Sequence, residues 1–168
     1  DEDKSKAHLI AELKELRRRL VEMEVEEYRV AFENAKDAII WVETDRGVII
    51  NCNKAAELLL EKNRDEIVGQ LQLTLHPPNK AEYYVRIFKI QTDQRYSFAS
   101  EEKYGFAYEG EVITKTRKII PVYITASMAE SGNKQIIQQT FHEISRYKRL
   151  ENVLKKTLTF AEGVIDSI

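Results

Sequence analysis

The chain is short of cysteine, proline and glycine, and each shortage excludes something. Cys52 is its one cysteine in 168 residues, which rules out an internal disulfide and an all-cysteine metal cluster and suits a reducing cytosol. Nowhere does an apolar run approach the roughly 20 residues of a transmembrane helix, and no signal-peptide pattern opens the chain, so no membrane insertion is expected. Neither sign of charge is in excess: 26 Lys and Arg stand against 28 Asp and Glu, a net charge of -2, which disfavours nucleic acid as a partner. The missing initiator methionine is expected of a segment cut from a longer protein. What is present, 43% apolar and 32% charged residues, is the composition of a soluble folded chain with one core and attachments.

The few prolines and glycines are unevenly spread, and that locates the core. Pro77, Pro78 and Pro121 and five of the six glycines lie between Gly47 and Gly132, where turns must be frequent. The flanks carry only Gly163. From Asp1 to Glu27, Leu9, Leu13, Leu16, Leu20 and Met23 recur at steps of four and three, and Val30 follows after the step that Glu27 fills. That stripe predicts a coiled-coil-type helix. Arg17, Arg18 and Arg19 alternate with Glu12, Glu15 and Glu22, a spacing for intrahelical ion pairs rather than a phosphate-binding patch. A second stripe follows Ser145, read as an N-cap: Tyr147, Leu150, Leu154, Thr157, Ala161, Val164 and Ile168. Both ends predict helices that seek a partner.

Between them the period shortens. Ala38 to Thr44 and Val48 to Asn51, joined by Asp45-Arg46-Gly47, predict a β-hairpin. Asn53 can cap a helix over Lys54 to Leu60, and Asn63 to Gly69 reads as a helical turn stopped by glycine. A longer helix is expected over Lys80 to Gln91, with Tyr84, Ile87, Phe88 and Gln91 on one face. Strands are expected over Tyr108 to Thr114, Ile119 to Ala129 and Gln135 to Ile144. The fold class is therefore α+β, one antiparallel sheet with helices over one face.

Phe32 to Glu57, running through Asp37-Ala38-Ile39-Ile40-Trp41-Val42, Asp45-Arg46-Gly47 and Asn51-Cys52-Asn53-Lys54-Ala55-Ala56, resembles the opening hairpin, asparagine and first helix of a PAS domain. Glu66-Ile67-Val68-Gly69 and Leu75-His76-Pro77 resemble later segments of the same family. Glu143-Ile144-Ser145 is similar to the family's Asp-Ile-Thr exit into a signalling helix, with Glu where Asp is usual. The resemblance implies a PAS fold of five antiparallel strands with short helices on one face, flanked by N- and C-terminal helices. It divides the chain into an amphipathic helix (1–27), the PAS domain (28–144) and a signalling helix (145–168). Phe160 to Ile168 is similar to the start of a further PAS domain.

The resemblance also organises the candidate sites. In such domains ligands sit between the sheet and the long helix, which makes Trp41, Tyr84, Phe88, Val122, Ile124, Ala126 and Met128 the candidate lining; the alternative is that they are core only. In the strand Ile119 to Ala129, the parity Ile120, Val122, Ile124, Ala126, Met128 selects the inner face. Arg86 and Arg95 could clamp a carboxylate if either points inward. The flavin-binding subclass needs a thiol where this chain has Gln72 and a glutamine where it has Phe141, with Gln138 and Gln139 out of register. The haem subclass needs a histidine on the long helix, and Lys80 to Gln91 has none. No cofactor is expected. His8 is expected in solvent and His76 in a structural turn. His142 lies in a β run with no proline following it and no glycine-rich nucleotide loop in the chain, unlike the phospho-acceptor box of histidine kinases. Serines 97, 100, 127 and 131, Cys52 and the pairs Glu26-Glu27 and Glu101-Glu102 show no catalytic partner. No enzymatic activity is expected.

The expected function is sensory: a cytoplasmic PAS domain, dimeric through its flanking helices, whose ligand or partner biases the last strand and, through Glu143, Ile144 and Ser145, the exit helix of a two-component sensor kinase. The second reading is a ligand-free scaffold that sets dimer geometry between neighbouring domains.

Overall fold

The computed structural model describes residues 2–93 and 106–166 of the chain. Helix α1 (Glu2–Glu33) opens it. Arg18 bridges Glu15 at 2.7 Å and Glu22 at 2.5 Å, and Arg29 meets Glu26 at 2.6 Å, the one-turn spacing at which opposite charges support a helix. Its leucine stripe, Leu9, Leu13, Leu16 and Leu20, is exposed to solvent. The helix passes residue 28 without a break and ends six residues beyond the expected boundary.

Strands β1 (Ala38–Glu43) and β2 (Ile49–Cys52) form the expected hairpin. Gly47 in its turn has φ +67°, a left-handed conformation that costs little without a Cβ. Helix α2 (Lys54–Leu60) starts where the Asn53 side chain accepts from the Ala56 amide at 3.0 Å. Helix α3 (Arg64–Ile67) is one turn, and α4 (Ala81–Thr92) follows a 3-10 turn at Pro78–Lys80. Strands β3 (Phe106–Ile113), β4 (Ile119–Ser131) and β5 (Lys134–Glu143) complete one antiparallel sheet in the order β2-β1-β5-β4-β3. β4 and β5 extend past the expected Ala129 and Gln135 because they keep pairing until Ser131 faces Lys134, leaving a two-residue turn, while β3 and β5 each end one residue before the expected Thr114 and Ile144. Helix α5 (Ser145–Asp166) leaves the end of β5.

The core lies between the sheet and α2 to α4. Ile40 and Val42 of β1, Val122 and Ile124 of β4 and Phe141 of β5 join Ala56, Leu60, Ile67 and Leu75 in one buried cluster. Pro121 explains how a proline can sit in an inner strand. It pairs with Glu111 of β3, and on its other side β5 has already ended, so no partner strand waits for the missing N–H. Its carbonyl accepts from the Ile144 amide at 3.0 Å.

Candidate functional site

Three groups of side chains fall on elements where a signal could be received or passed on. The first is the inner face of the sheet under α4. Alternation along the strands puts Ile40, Gln139, Ala126 and Phe106 in one row across it, and Phe141, Ile124 and Tyr108 in the next. Val122, Ile124 and Ala126 face inward as expected, and Tyr84 is 2% exposed above them. Phe88 packs against this core half-buried. Met128 shares the parity but, near the strand's far end, is 37% exposed.

Trp41 departs from the expected lining. Its neighbours Ile40 and Val42 face the core, so its own side chain points to the opposite face of the sheet. There it meets Phe32 and Tyr28 of α1 at ring separations of 5.2 and 5.8 Å and donates from Nε1 to Gln138 Oε1 at 3.0 Å. Trp41 anchors the leading helix instead of lining a cavity.

The edge strand β3 is closed from the side. Because Pro121 cannot donate, the N–H and C=O of Glu111 point outward, away from β4. Tyr84 Oη accepts from the Glu111 amide at 2.7 Å, and His76 Nδ1 bonds the Glu111 carbonyl at 2.7 Å. A carbonyl only accepts, so Nδ1 carries the proton and Nε2 is a bare acceptor. The His76 ring stacks on Tyr84 at 3.6 Å, is 2% exposed, and leaves Nε2 without a partner. Burial holds its pKa down to about 4, the bond to the Glu111 carbonyl working the other way. Beside it Gly110 admits no side chain: a Cβ there would lie 2.8 Å from Ile124 Cδ1 and 3.2 Å from Tyr84 Oη. This end of the interior is packed shut.

The other end is polar. Gln139 is 1% exposed, and its Nε2 donates to Gln91 Oε1 of α4 at 3.1 Å. Gln91 Nε2 and Gln139 Oε1 are buried with no hydrogen-bond partner. The Tyr108 phenol lies beside Gln91, its pKa pushed up chiefly by burial and drawn down by the Gln91 side-chain amide. Neither Gln138 nor Gln139 stands at the position of Phe141, but Gln139, two residues away, lies on the same inner face, whereas Gln138 points to the other. Gln91 was placed on the inner side of its helix, but its pairing with Gln139 links residues 48 apart and left no local signal.

The second group ties α1 to the core. Asn53 is fully buried: Oδ1 accepts from Ile39 and Ala56, and Nδ2 donates to the carbonyls of Phe32 and Asp37 at 3.1 and 3.0 Å. All its capacity on these atoms is used. Glu33, the last residue of α1, accepts from Arg64 and from the Lys54 amide, and Arg64 also donates to the Cys52 carbonyl.

The third group is the exit. Ile144 N donates to Pro121 O, and Ile144 O accepts the first helical bond of α5, from the Lys148 amide at 2.9 Å. Ile144 therefore occupies the N-cap position, and Ser145, expected there, is the first helical residue. The Ser145 hydroxyl instead donates to Glu143 Oε1 at 2.7 Å. Lys148 reaches back to Glu109 on β3. His142 is on the strand, exposed, and bonds Asp37 Oδ1 at 2.7 Å. Arg86 is exposed, and Arg95 lies outside the described residues, as do Ser97, Ser100, Glu101, Glu102 and Ile168.

A five-stranded sheet in this order, with an asparagine node at its hairpin and a helix issuing from its last strand, is matched by the PAS domain family over residues 36–146. The chain belongs to the PAS domain family. Solved PAS domains agree with it in fold. One from a two-component sensor histidine kinase is 12% identical, with TM-score 0.57 over 73% of this chain and 98% of its own. The PAS domain of an HTR-like protein from Haloarcula marismortui is 16% identical, with TM-score 0.61 over 77% and 99%. That of a LuxR-family transcriptional regulator from Burkholderia thailandensis, solved in complex with ethanol, is 16% identical, with TM-score 0.55 over 70% and 97%. No curated protein sequence matches the chain. The domain thus shares the fold of PAS domains that occur in sensor histidine kinases. No helix among the described residues is long and apolar enough to cross a membrane.

Proposed function

We propose that this PAS domain senses a small molecule held between the inner sheet face and α4, and relays its occupancy through α5 to an output module of a cytoplasmic two-component sensor kinase, without chemistry of its own. The observation that carries the reading is the unpartnered polar pair inside the domain. A core that is only structural satisfies nearly all its buried polar groups, because each orphan costs about 1–3 kcal/mol. Here Gln91 Nε2 and Gln139 Oε1 are buried without a hydrogen-bond partner, on the two elements that would clasp a ligand. The same fold holds ethanol in the Burkholderia protein.

The relay needs one step. Gln139 and Glu143 share β5, and the Ile144 amide fixes the end of that strand to β4 through Pro121. A ligand that favours one position of β5 biases the start of α5, by about tenfold for each 1.4 kcal/mol of differential affinity. The exposed stripes of α1 and α5 would pair with a second copy to carry that bias. They also support the scaffold reading, in which the domain only sets dimer geometry. Native mass spectrometry of the purified protein separates the two: a reproducible small-molecule adduct is expected, and its absence favours the scaffold.

A further inference from the structure

The open atoms beneath α4 also carry information about what would fill them. Gln139 Nε2 and Gln91 Oε1 satisfy one another at 3.1 Å, so one amide has spent a donor and the other its acceptor. What remains is asymmetric: a donor on Gln91 and an acceptor on Gln139, both buried. An occupant that satisfies both must present an acceptor to the first and a donor to the second. Hydroxyl groups can do either, but two adjacent sites of opposite kind match a planar C=O and N–H edge. Ala126 faces Gln139 across the ladder and is the smallest side chain of its row.

Charge narrows the class further. No Lys or Arg among the described residues is buried, and Arg86 on α4 is exposed. His76, the nearest basic side chain toward the interior, is held neutral by burial and stacks on Tyr84, seven residues and about 10 Å along α4 from Gln91. A carboxylate would meet no buried counter-ion among the described residues and would offer two acceptors, leaving Gln139 Oε1 still unpaired.

Resting on the sensing reading above, we propose that the inner cleft at Gln91 and Gln139 recognises an uncharged ligand through a lactam-like edge, its C=O accepting from Gln91 Nε2 and its N–H donating to Gln139 Oε1. The test uses the full chain and three probes of nearly equal shape: 2-pyridone, N-methyl-2-pyridone, which lacks the donor, and benzoate, which lacks it and is charged. Side-chain amide signals of Gln91 and Gln139 in NMR titrations report binding at the site. The expected result is that 2-pyridone shifts both signals and binds at least about tenfold more tightly than either control. The double variant Q91L/Q139L, which replaces both partners by apolar side chains of similar size, should keep its melting temperature and lose that preference. Equal binding of all three probes, or a preference for 2-pyridone that survives in the double variant, overturns the assigned class. If no probe binds but native mass spectrometry finds another adduct, the class fails while the sensing reading stands. If neither is found, both fail.

Discussion

At the scale of single residues, buried polar groups decide most of what can be measured. His76 is neutral in the folded domain with a pKa near 4, whereas an unfolded histidine titrates near 6.5. Between those values the unfolded chain binds the extra proton, so stability must fall as pH drops from about 6.5 to about 4, by up to on the order of 3 kcal/mol. His76→Phe keeps a ring for Tyr84 to stack on and removes the titration; its urea-unfolding free energy should fall less than the wild type's over that pH range. A parallel slope in the two proteins would show that carboxylates alone cause the loss. Asn53 poses a different case, because four backbone partners from α1, the segment after it, β1 and α2 meet on one side chain. Asn53→Ala leaves two buried carbonyls and two amides to find water, and should cost about 3 kcal/mol or more in equilibrium unfolding. Gly110→Ala forces Ile124 and Tyr84 apart and should cost about 1–3 kcal/mol by the same measurement. That Asn53 would cap α2 is visible from its place before an Ala- and Leu-rich run. Its bonds to Phe32 and Asp37 are not, because they depend on where α1 ends in space.

Elements meet at two seams. At one, Trp41, Phe32 and Tyr28 fasten α1 to the outer face of the sheet, and Arg64 holds Glu33. At the other, a single amide, Ile144 N, connects the end of β5 to Pro121 of β4 while the same residue's carbonyl starts α5. Replacing Ile144 by proline removes the first contact and leaves the second, since proline has a carbonyl but no N–H. Hydrogen exchange of amides 145–150 should accelerate in this variant while the amides of β1 and of β5 up to Gln139 keep their protection. Loss of protection throughout the sheet would mean that the seam supports the fold itself. The hairpin, α2 and α4 were readable from alternation, caps and turn residues, since those signals are local. The N-cap was misassigned to Ser145 by one position because serine is the commoner cap, and here the tertiary bond to Pro121 sets where the helix begins.

The whole molecule displays two amphipathic helices whose apolar stripes face solvent: Leu9, Leu13, Leu16 and Leu20 on α1, and Tyr147, Leu150, Leu154 and Val164 on α5. If α1 pairs with a second copy, removal of residues 1–23 should convert a dimer to a monomer, or weaken it by at least about tenfold, in sedimentation at micromolar concentrations. An unchanged dimer would assign association to α5 or to the sheet. Heptad spacing alone foretold both stripes, because a helix of period 3.6 collects such residues on one side whatever it packs against. The five antiparallel strands and the inner face of β4 were likewise within reach of pattern and family resemblance, whereas the strand order came only with the structure. Which face Trp41 takes was not, because an aromatic residue in a run of apolar neighbours suits either side of a sheet, and only the docking of α1 makes the outer side dry. The amide pair was beyond reach for a related reason. Hydrogen bonds between side chains on distant segments leave no period in the sequence, and the open donor and acceptor at Gln91 and Gln139 exist only once α4 lies across β5.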